Sequence, residues 1–574
     1  MAQGFFHADI EFFIDHRVDW ERLLRLRLGE QCVVADEIDT YKMILSTAGD
    51  VCADIERESL GHWHEAVEVV DGEVIVPAHV RAGYEMLRAA GLTCLTLKPK
   101  YGGSNLPMLL NCAFLEMLSR ANASLMTIVG LQTGAAQDIE KYGSEALCEE
   151  YLPRFASGEL QGAMDLTEPQ AGSDLGGIVT RADKVGDHYR VNGEKIYITN
   201  GGAQIHLVLA RDGATYDESK GTTNGLNLLL CPRVLANGQP NGVRIPRVEH
   251  KLGIHGSPTC VVEFEDAEAY LLGEVGQGFR AMLNLMNNAR LGVAAQAIGI
   301  AEAAYRAARE YAAQRVQFGV PILQQPMVKS MLSGMAINIQ GARALLYRTC
   351  GMIDTIDALD EYLGSERSQG DAQRGVLEAE RDRLQSLIRF FTPLCKYYAT
   401  EIADDVTRAG IQVHGGIGYM AETAAGQYHN DSIITTIYEG TSEIQASFAL
   451  KEMAKGALVT TLEDTKVQLS TLGSDVAPLV EQVTKGIDAI NQSIAALLVD
   501  FDYALLNAKR ISQMVIDVVV SAELLHQATH SEDKRELATS FVHRHMLHVE
   551  MNARRISSGD ASRIKRYNAI LGLD

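Results

Sequence analysis

The chain has 574 residues and a mass of 62.6 kDa, with 52 Lys+Arg against 74 Asp+Glu and a formal charge of −22. That length allows roughly two to four domains with ample core, and 47% hydrophobic residues at a mean hydropathy of −0.03 exclude a chain dominated by disorder or fibrous repeats. The acidic balance counts against a general nucleic-acid binder, whose affinity comes largely from neutralising phosphates.

The nine cysteines, at 32, 52, 94, 112, 148, 231, 260, 350 and 395, form no CxxC pair. They read as reduced core thiols, with neither a zinc spacing nor a disulfide framework. The opening segment carries acids where a secretory signal needs bases, and no apolar stretch is long enough to span a bilayer. The expectation is a cytoplasmic enzyme with no stable membrane insertion and no metal.

Residues 36–160 read as helices, because apolar residues recur at three- and four-residue spacing in ADEIDTYKMILSTAGDVCADIERE and MLLNCAFLEMLSRA. LKPKYGGSNLP breaks them with a loop. Near 161 the pattern changes. HYRVNGEKIYIT has strand character on both sides of Asn192-Gly193, a hairpin signal. IHLVLARD, GLNLLLC, GVRIPRV and TCVVEFED follow as short strands, ending near Gly276-Gln277-Gly278.

Helical spacing returns at Phe279 with an Ala-rich stretch to Arg315, then from Gln325 to about Leu359. DEYLGSERSQGDAQRGVLEAERDR reads as a solvated excursion, and 456–574 as several more amphipathic helices. The predicted fold is mainly α with a central β domain. Its divisions are an N-terminal helical domain (1–160), a middle β domain (161–278), a helical bundle (279–455) and an extra C-terminal helical domain (456–574).

Five segments carry chemistry. In Thr436-Ile-Tyr-Glu-Gly-Thr-Ser-Glu-Ile-Gln445, a Glu between an aromatic residue and a Gly can project a carboxylate into a pocket. Partial desolvation raises a carboxyl pKa and suits it to removing a weakly acidic proton; the bland alternative for Glu439 is a loop acid. Leu166-Thr-Glu-Pro-Gln-Ala-Gly-Ser-Asp174 offers hydroxyls and backbone donors to a heteroaromatic ring, or is simply a turn with an Asx cap. In Lys195-Ile-Tyr-Ile-Thr-Asn-Gly-Gly202, Tyr197 and Thr199 fall on one strand face and can pack on a planar ligand, unless the tyrosine belongs to the core. Arg315-Val-Gln-Phe-Gly319 has a helix C-cap at Gly319 and a possible phosphate contact at Arg315. Gln412-Val-His-Gly-Gly-Ile-Gly418 holds a GGxG loop but follows no strand, so it is not a dinucleotide fingerprint; its His414 reads as a packing residue.

In this order and spacing, LTEPQAGSD, KIYITNGG, RVQFG, QVHGGIGY and IYEGTSEIQ resemble the acyl-CoA dehydrogenase family over about residues 80–450. EHKLGIHGSPTC and the added C-terminal helices resemble its larger bacterial branch of long-chain and 3-methylthiopropanoyl-CoA dehydrogenase-like enzymes. The resemblance implies FAD between a helical domain, a β domain and a four-helix bundle. It makes Glu439 the base that takes an acyl-CoA α-proton while the β-hydrogen leaves as hydride to the flavin. Relatives that place the base on the first long bundle helix would have it at Ala289, which lacks the chemistry.

Carried over residue by residue, Leu166, Thr167, Ser173, Tyr197 and Thr199 would contact the flavin. Arg315, Gln317, Phe318, Gln412 and Gly416 would reach the FAD of a neighbouring subunit, implying a homodimer or homotetramer. Thr441 and Glu443 would flank the cofactor. Ser173, Asn287, Arg290, Tyr438 and Gly440 would bind substrate. An electron-transferring flavoprotein is the expected acceptor.

Two other readings stand beside this one. A flavin-containing member can carry out non-redox hydration or ring opening of a cyclic acyl-CoA. A nucleic-acid-binding relative would use the basic stretch from Arg554-Arg555 to Arg563-Ile-Lys-Arg566. Asp165 and the IQASFALKEMAKG run depart from the family pattern.

Overall fold

Asp71-Gly72 and Asn192-Gly193 carry the same turn chemistry, and the computed structural model, which describes residues 4–573, uses them differently. Asp71 and Gly72 both take positive φ (52° and 81°) and close a two-residue hairpin between Glu68–Val70 and Glu73–Ile75. This hairpin interrupts a stretch expected to be wholly helical. Asn192-Gly193 makes no turn. It lies within one continuous strand, His188–Thr199, because Thr259–Leu272 runs antiparallel beside it from Tyr189 to Thr199. The Gly is required for space: a Cβ on Gly193 would lie 2.4 Å from Thr180 Oγ1. Gly193→Ala is therefore expected to lower stability by about 1–3 kcal/mol, measured as a drop in denaturant midpoint at unchanged slope.

Compactness divides the chain into two units. The first comprises the N-terminal residues to Val18, then Val33–Ala303 and Met420–Asp431. Its helices include Val34–Ser59, Ala78–Ala89, Met108–Ala121, Ala123–Tyr142 and Glu145–Ala156. Its sheet runs in the order Gly162–Asp165, Ile205–Asp212, Arg181–Val185, His188–Thr199, Thr259–Leu272, Leu226–Pro232, and the last strand pairs back onto Ile205–Asp212 to close a barrel. Val243–Val248 adds to Thr259–Leu272.

Every residue of Ile205–Asp212 is buried, the polar His206, Arg211 and Asp212 as well as the apolar run between them. One face (Val208, Ala210) fills the barrel, and Leu207 packs with Leu228, Leu230 and Leu272 against Ala135, Ala136 and Ile139 of the helix Ala123–Tyr142. The unexpected charge at Asp165 is absorbed here: its Oδ2 lies 2.8 Å from His206 Nδ1, both residues fully buried.

The second unit comprises Asp19–Cys32, Ala304–Tyr419 and Ser432–Asp574. Pro326–Gly364 and Arg374–His414 are its long helices, and only residues 365–373 between them are an excursion. The charged residues predicted to lie in a loop instead form the last turn of one helix and the first turns of the next. Charge at helical spacing on a solvated face is compatible with helix, so it does not mark a loop.

Ser442–Ala454 packs on Arg374–His414 and on Ala508–Gln527, which in turn packs on Glu532–Ser557. Arg554 and Arg555 are exposed in the last turn of Glu532–Ser557, where cations suit the helix dipole. Among the described residues, no helix is long and apolar enough to cross a membrane.

Candidate functional site

In the first unit, the segment Leu166–Asp174 is built around a buried carboxylate. Glu168 accepts hydrogen bonds from Lys195 Nζ (2.8 Å), the Val179 and Thr180 amides (2.7 and 3.0 Å) and Gln170 Nε2 (2.6 Å). Lys195, fully buried, also donates to the carbonyls of Leu166 (3.0 Å) and Leu209 (2.8 Å). Burial alone would raise the Glu168 carboxyl, but the Lys195 charge and the converging hydrogen bonds hold it below the ordinary carboxylate value. Burial pulls the Lys195 ammonium down.

The Ile196 amide donates to Thr167 O (2.9 Å), so the loop and the strand His188–Thr199 are laced together. The Asx turn allowed for in the sequence is present as well, since Asp174 Oδ1 accepts from the Gly176 amide (3.0 Å). Glu168 and Lys195 both lie inside quoted motifs, yet sequence reasoning assigned neither a role.

Tyr197 does not belong to the core. The register between His188–Thr199 and Thr259–Leu272 slips between Lys195 and Ile198, leaving one extra residue on the first strand. Tyr197 takes φ 59° at that bulge and is 63% exposed, while Ile198 beside it is buried. A bulge of this kind re-aims a side chain. Leu166, Thr167 and Thr199 are half-buried, and Ser173 is exposed. On the helix Gly278–Gln314, the buried Arg290 donates to Asn287 Oδ1 (3.0 Å), and Ala289 packs against the apolar cluster around Ala135 and Ile139.

Elsewhere in this unit, Asp431 accepts from the Ile254 amide and from Gln427 Nε2, anchoring the KLGIHG segment. Burial pushes its carboxyl up to about 6. An acid raised above its unfolded value binds its proton more tightly when folded. Its destabilising effect is thus complete above pH 6 and relieved as pH falls towards 4. Relative to Asp431→Asn, the wild type is expected to gain about 2–3 kcal/mol between pH 7 and pH 4 in denaturation series. A pH-independent difference would disprove this.

In the second unit, a 3-10 helix, Ile434–Thr436, precedes Ile437 and Tyr438, and Glu439 and Gly440 then take φ 56° and 97°. A non-glycine residue in the left-handed region is strained unless its surroundings enforce it. The enforcing groups are Gln445, whose Nε2 donates to Glu439 O (2.7 Å) and Gly440 O (3.2 Å), and the fully buried Lys396, whose Nζ donates to Gly440 O (2.8 Å). Thr441 caps the helix Ser442–Ala454, and Tyr438 is half-buried. The local backbone hydrogen bond, and then Lys509 at 3.3 Å, hold the Glu443 carboxyl below its ordinary value. Lys396 was missed because its only sequence signal is a cation in an otherwise apolar helix stripe.

Gly319 is not a helix cap. The helix ends at Gln314, and Val316–Gln317 pairs with Val320–Pro321 around Phe318-Gly319, both at positive φ (54° and 81°). The two-residue turn demands left-handed residues and presents Phe318, 93% exposed, at its tip, with Arg315 and Gln317 exposed beside it. His414 is the packing residue expected: it stacks on Tyr311 (4.7 Å between centroids), and its Nδ1 lies 2.8 Å from Gly410 O. That stack sets the exposed Gln412 and Gly416 at the same bundle end as the Arg315–Phe318 turn. A Cβ on Gly416 would meet nothing within 4 Å.

Three family models cover this chain: the acyl-CoA dehydrogenase N-terminal domain at residues 39–159, the middle domain at 163–267, and the C-terminal domain at 276–363 and 372–454. The chain belongs to the acyl-CoA dehydrogenase family. Within this family of oxidoreductases it is 34% identical over 461 residues to 3-methylmercaptopropionyl-CoA dehydrogenase of Ruegeria pomeroyi, covering 76% of this chain and 74% of that one. It is 30% identical over 478 residues to a butyryl-CoA dehydrogenase of Syntrophomonas wolfei, covering 76% and 73%.

Among solved structures, butyryl-CoA dehydrogenase from Megasphaera elsdenii matches at TM-score 0.60 and 30% identity, covering 72% of this chain and 98% of that one. An acyl-CoA dehydrogenase from Bacillus anthracis, complexed with FAD, shares the fold at TM-score 0.72 and 23% identity, covering 90% and 88%. The family models end at Ala454, so the helices beyond it are an addition to the family's three domains.

Proposed function

We propose that this chain is an FAD-dependent dehydrogenase that converts an acyl-CoA thioester to its 2-enoyl-CoA, with Glu439 as the base. The observation that supports this most directly is the Glu439 loop. A carboxylate-bearing residue is held in a strained backbone conformation by two buried side chains that donate to its carbonyl and that of Gly440.

The residues fit the cofactor. Tyr197 is turned outward by a bulge and is suited to a planar ring. Loop Leu166–Asp174 brings an exposed hydroxyl at Ser173, and the Arg315–Phe318 turn brings a cation and a fully exposed aromatic ring. FAD, when bound, supplies the hydride acceptor. The protein supplies the rest. The Glu439 carboxylate accepts the α-proton, and the Glu439 amide donates to the thioester oxygen as negative charge develops there. Gln445 and Lys396 keep that amide from reorienting. Arg290, bonded to Asn287, would line the path of the CoA moiety. Ala289 leaves Glu439 as the base.

The physiological acceptor in this reading is an electron-transferring flavoprotein. The remaining parts of the reading are a homodimer or homotetramer, in which Arg315, Gln317, Phe318, Gln412 and Gly416 meet the neighbour's cofactor, and a cytoplasmic setting.

The test is an anaerobic titration of the purified protein with linear, branched, alicyclic, sulfur-containing and dicarboxylic acyl-CoA thioesters. Loss of flavin absorbance with one class is the expected result. A yellow protein that binds esters without bleaching would shift the reading to non-redox chemistry.

A further inference from the structure

The helices beyond the family's three domains contain a group of side chains that the dehydrogenase chemistry does not use. Asp517 lies on Ala508–Gln527, and His545 and His548 lie one turn apart on the facing face of Glu532–Ser557. Each can offer one ligand atom such that all three atoms lie within 4.8 Å of one another. Asp517 is fully buried, His545 nearly so and His548 half-buried.

Hydrogen bonding leaves this group incomplete. Asp517 Oδ1 lies 2.8 Å from His545 Nδ1 and accepts from Gln513 Nε2 at 2.8 Å. Asp517 Oδ2 and His545 Nε2 are both buried without a hydrogen-bond partner. Buried polar atoms are almost always satisfied, so these two orphans, like Asp165 Oδ1 and His206 Nε2 in the barrel, leave spare capacity, which here lies beside a third possible ligand, His548. Phe541 stacks on His545 at 3.8 Å between centroids and 4° between planes, fixing the imidazole that carries one of the orphans.

We propose that Asp517, His545 and His548 form a structural site for a divalent transition metal of the zinc class, clamping the two C-terminal helices to each other. Two imidazoles and one carboxylate make a nitrogen-rich donor set, which suits zinc and its neighbours. Calcium and magnesium require oxygen ligands throughout. The unfolded chain does not hold the three groups together, so metal binding adds directly to the stability of these helices.

The test uses the full-length protein, stripped with a chelator and then titrated with Co²⁺ and, separately, Zn²⁺. The expected result is one equivalent of Co²⁺ giving the visible d–d bands of a nitrogen- and oxygen-ligated ion, and Zn²⁺ raising the melting temperature. In His548→Gln, which alters the least buried ligand, affinity is expected to fall about 10–100-fold and the thermal shift to disappear. Asp517→Asn and His545→Gln should behave alike, and His526→Gln, on a surface histidine pair, should not. A folded wild type that takes up no Co²⁺ at one equivalent would overturn the site. So would bands that survive unchanged in His548→Gln and His545→Gln.

Discussion

Glu439→Gln is expected to reduce turnover by about 10²–10⁴-fold while leaving a yellow protein that still binds acyl-CoA esters. The substitution keeps the size of the side chain and removes only its capacity to accept a proton. The loop should keep its shape, because Gln445 and Lys396 grip the carbonyls of residues 439 and 440 and neither bond involves the Glu439 side chain. Binding and chemistry are thereby separable. Ester-induced perturbation of the flavin spectrum should survive while bleaching under anaerobic conditions slows. Turnover within tenfold of wild type would remove Glu439 from the role of base. No replacement is at hand at residue 289, where the side chain is alanine.

Lys195→Met is expected to cost about 3–5 kcal/mol of stability and to deplete flavin, the largest structural effect among these substitutions. The ammonium is fully buried and joins Glu168, Leu166 O and Leu209 O, so its removal strands a buried carboxylate and releases the segment that presents Ser173. Glu168→Gln should cost less, since a neutral amide still accepts from the Val179 and Thr180 amides. The double substitution should cost less than the sum of the singles.

The pH dependence has a defined sign. The folded Glu168 carboxyl lies below its unfolded value, so its contribution is complete above the unfolded pKa and disappears as pH falls through the folded one. In Lys195→Met, burial acts on Glu168 without the opposing charge, and stability should instead rise as pH is lowered through the carboxylate range. Denaturation series with flavin content measured on the same samples would show both effects. Full flavin content and unaltered stability in Lys195→Met would overturn the assignment.

The helix–barrel–bundle order and the five motif segments could be read from the chain directly, because periodicity of 2 or 3.6 residues and local spacing are properties of consecutive residues. The readings that failed depend on neighbours distant in sequence. Asn192-Gly193 stays within one strand because a partner strand pairs with residues on both sides of it, whereas at Asp71-Gly72, with the same local signal, the chain turns back so that Glu73–Ile75 pairs with Glu68–Val70. Gly319 serves a hairpin instead of a helix end because Val320 and Pro321 fold back on Val316 and Gln317.

Glu439 stood out as a candidate from its aromatic and glycine neighbours. The left-handed backbone that presents it depends on Lys396, 43 residues upstream on another helix, and no local pattern connects the two. The same holds for Glu168 with Lys195 and for Asp517 with His545. Sequence alone determined the succession of helical and strand regions and which chemistry-bearing residues the chain carries. Tertiary structure alone decided which buried charges meet, because the free energy of burying an ion depends on a partner that only folding brings within hydrogen-bond reach.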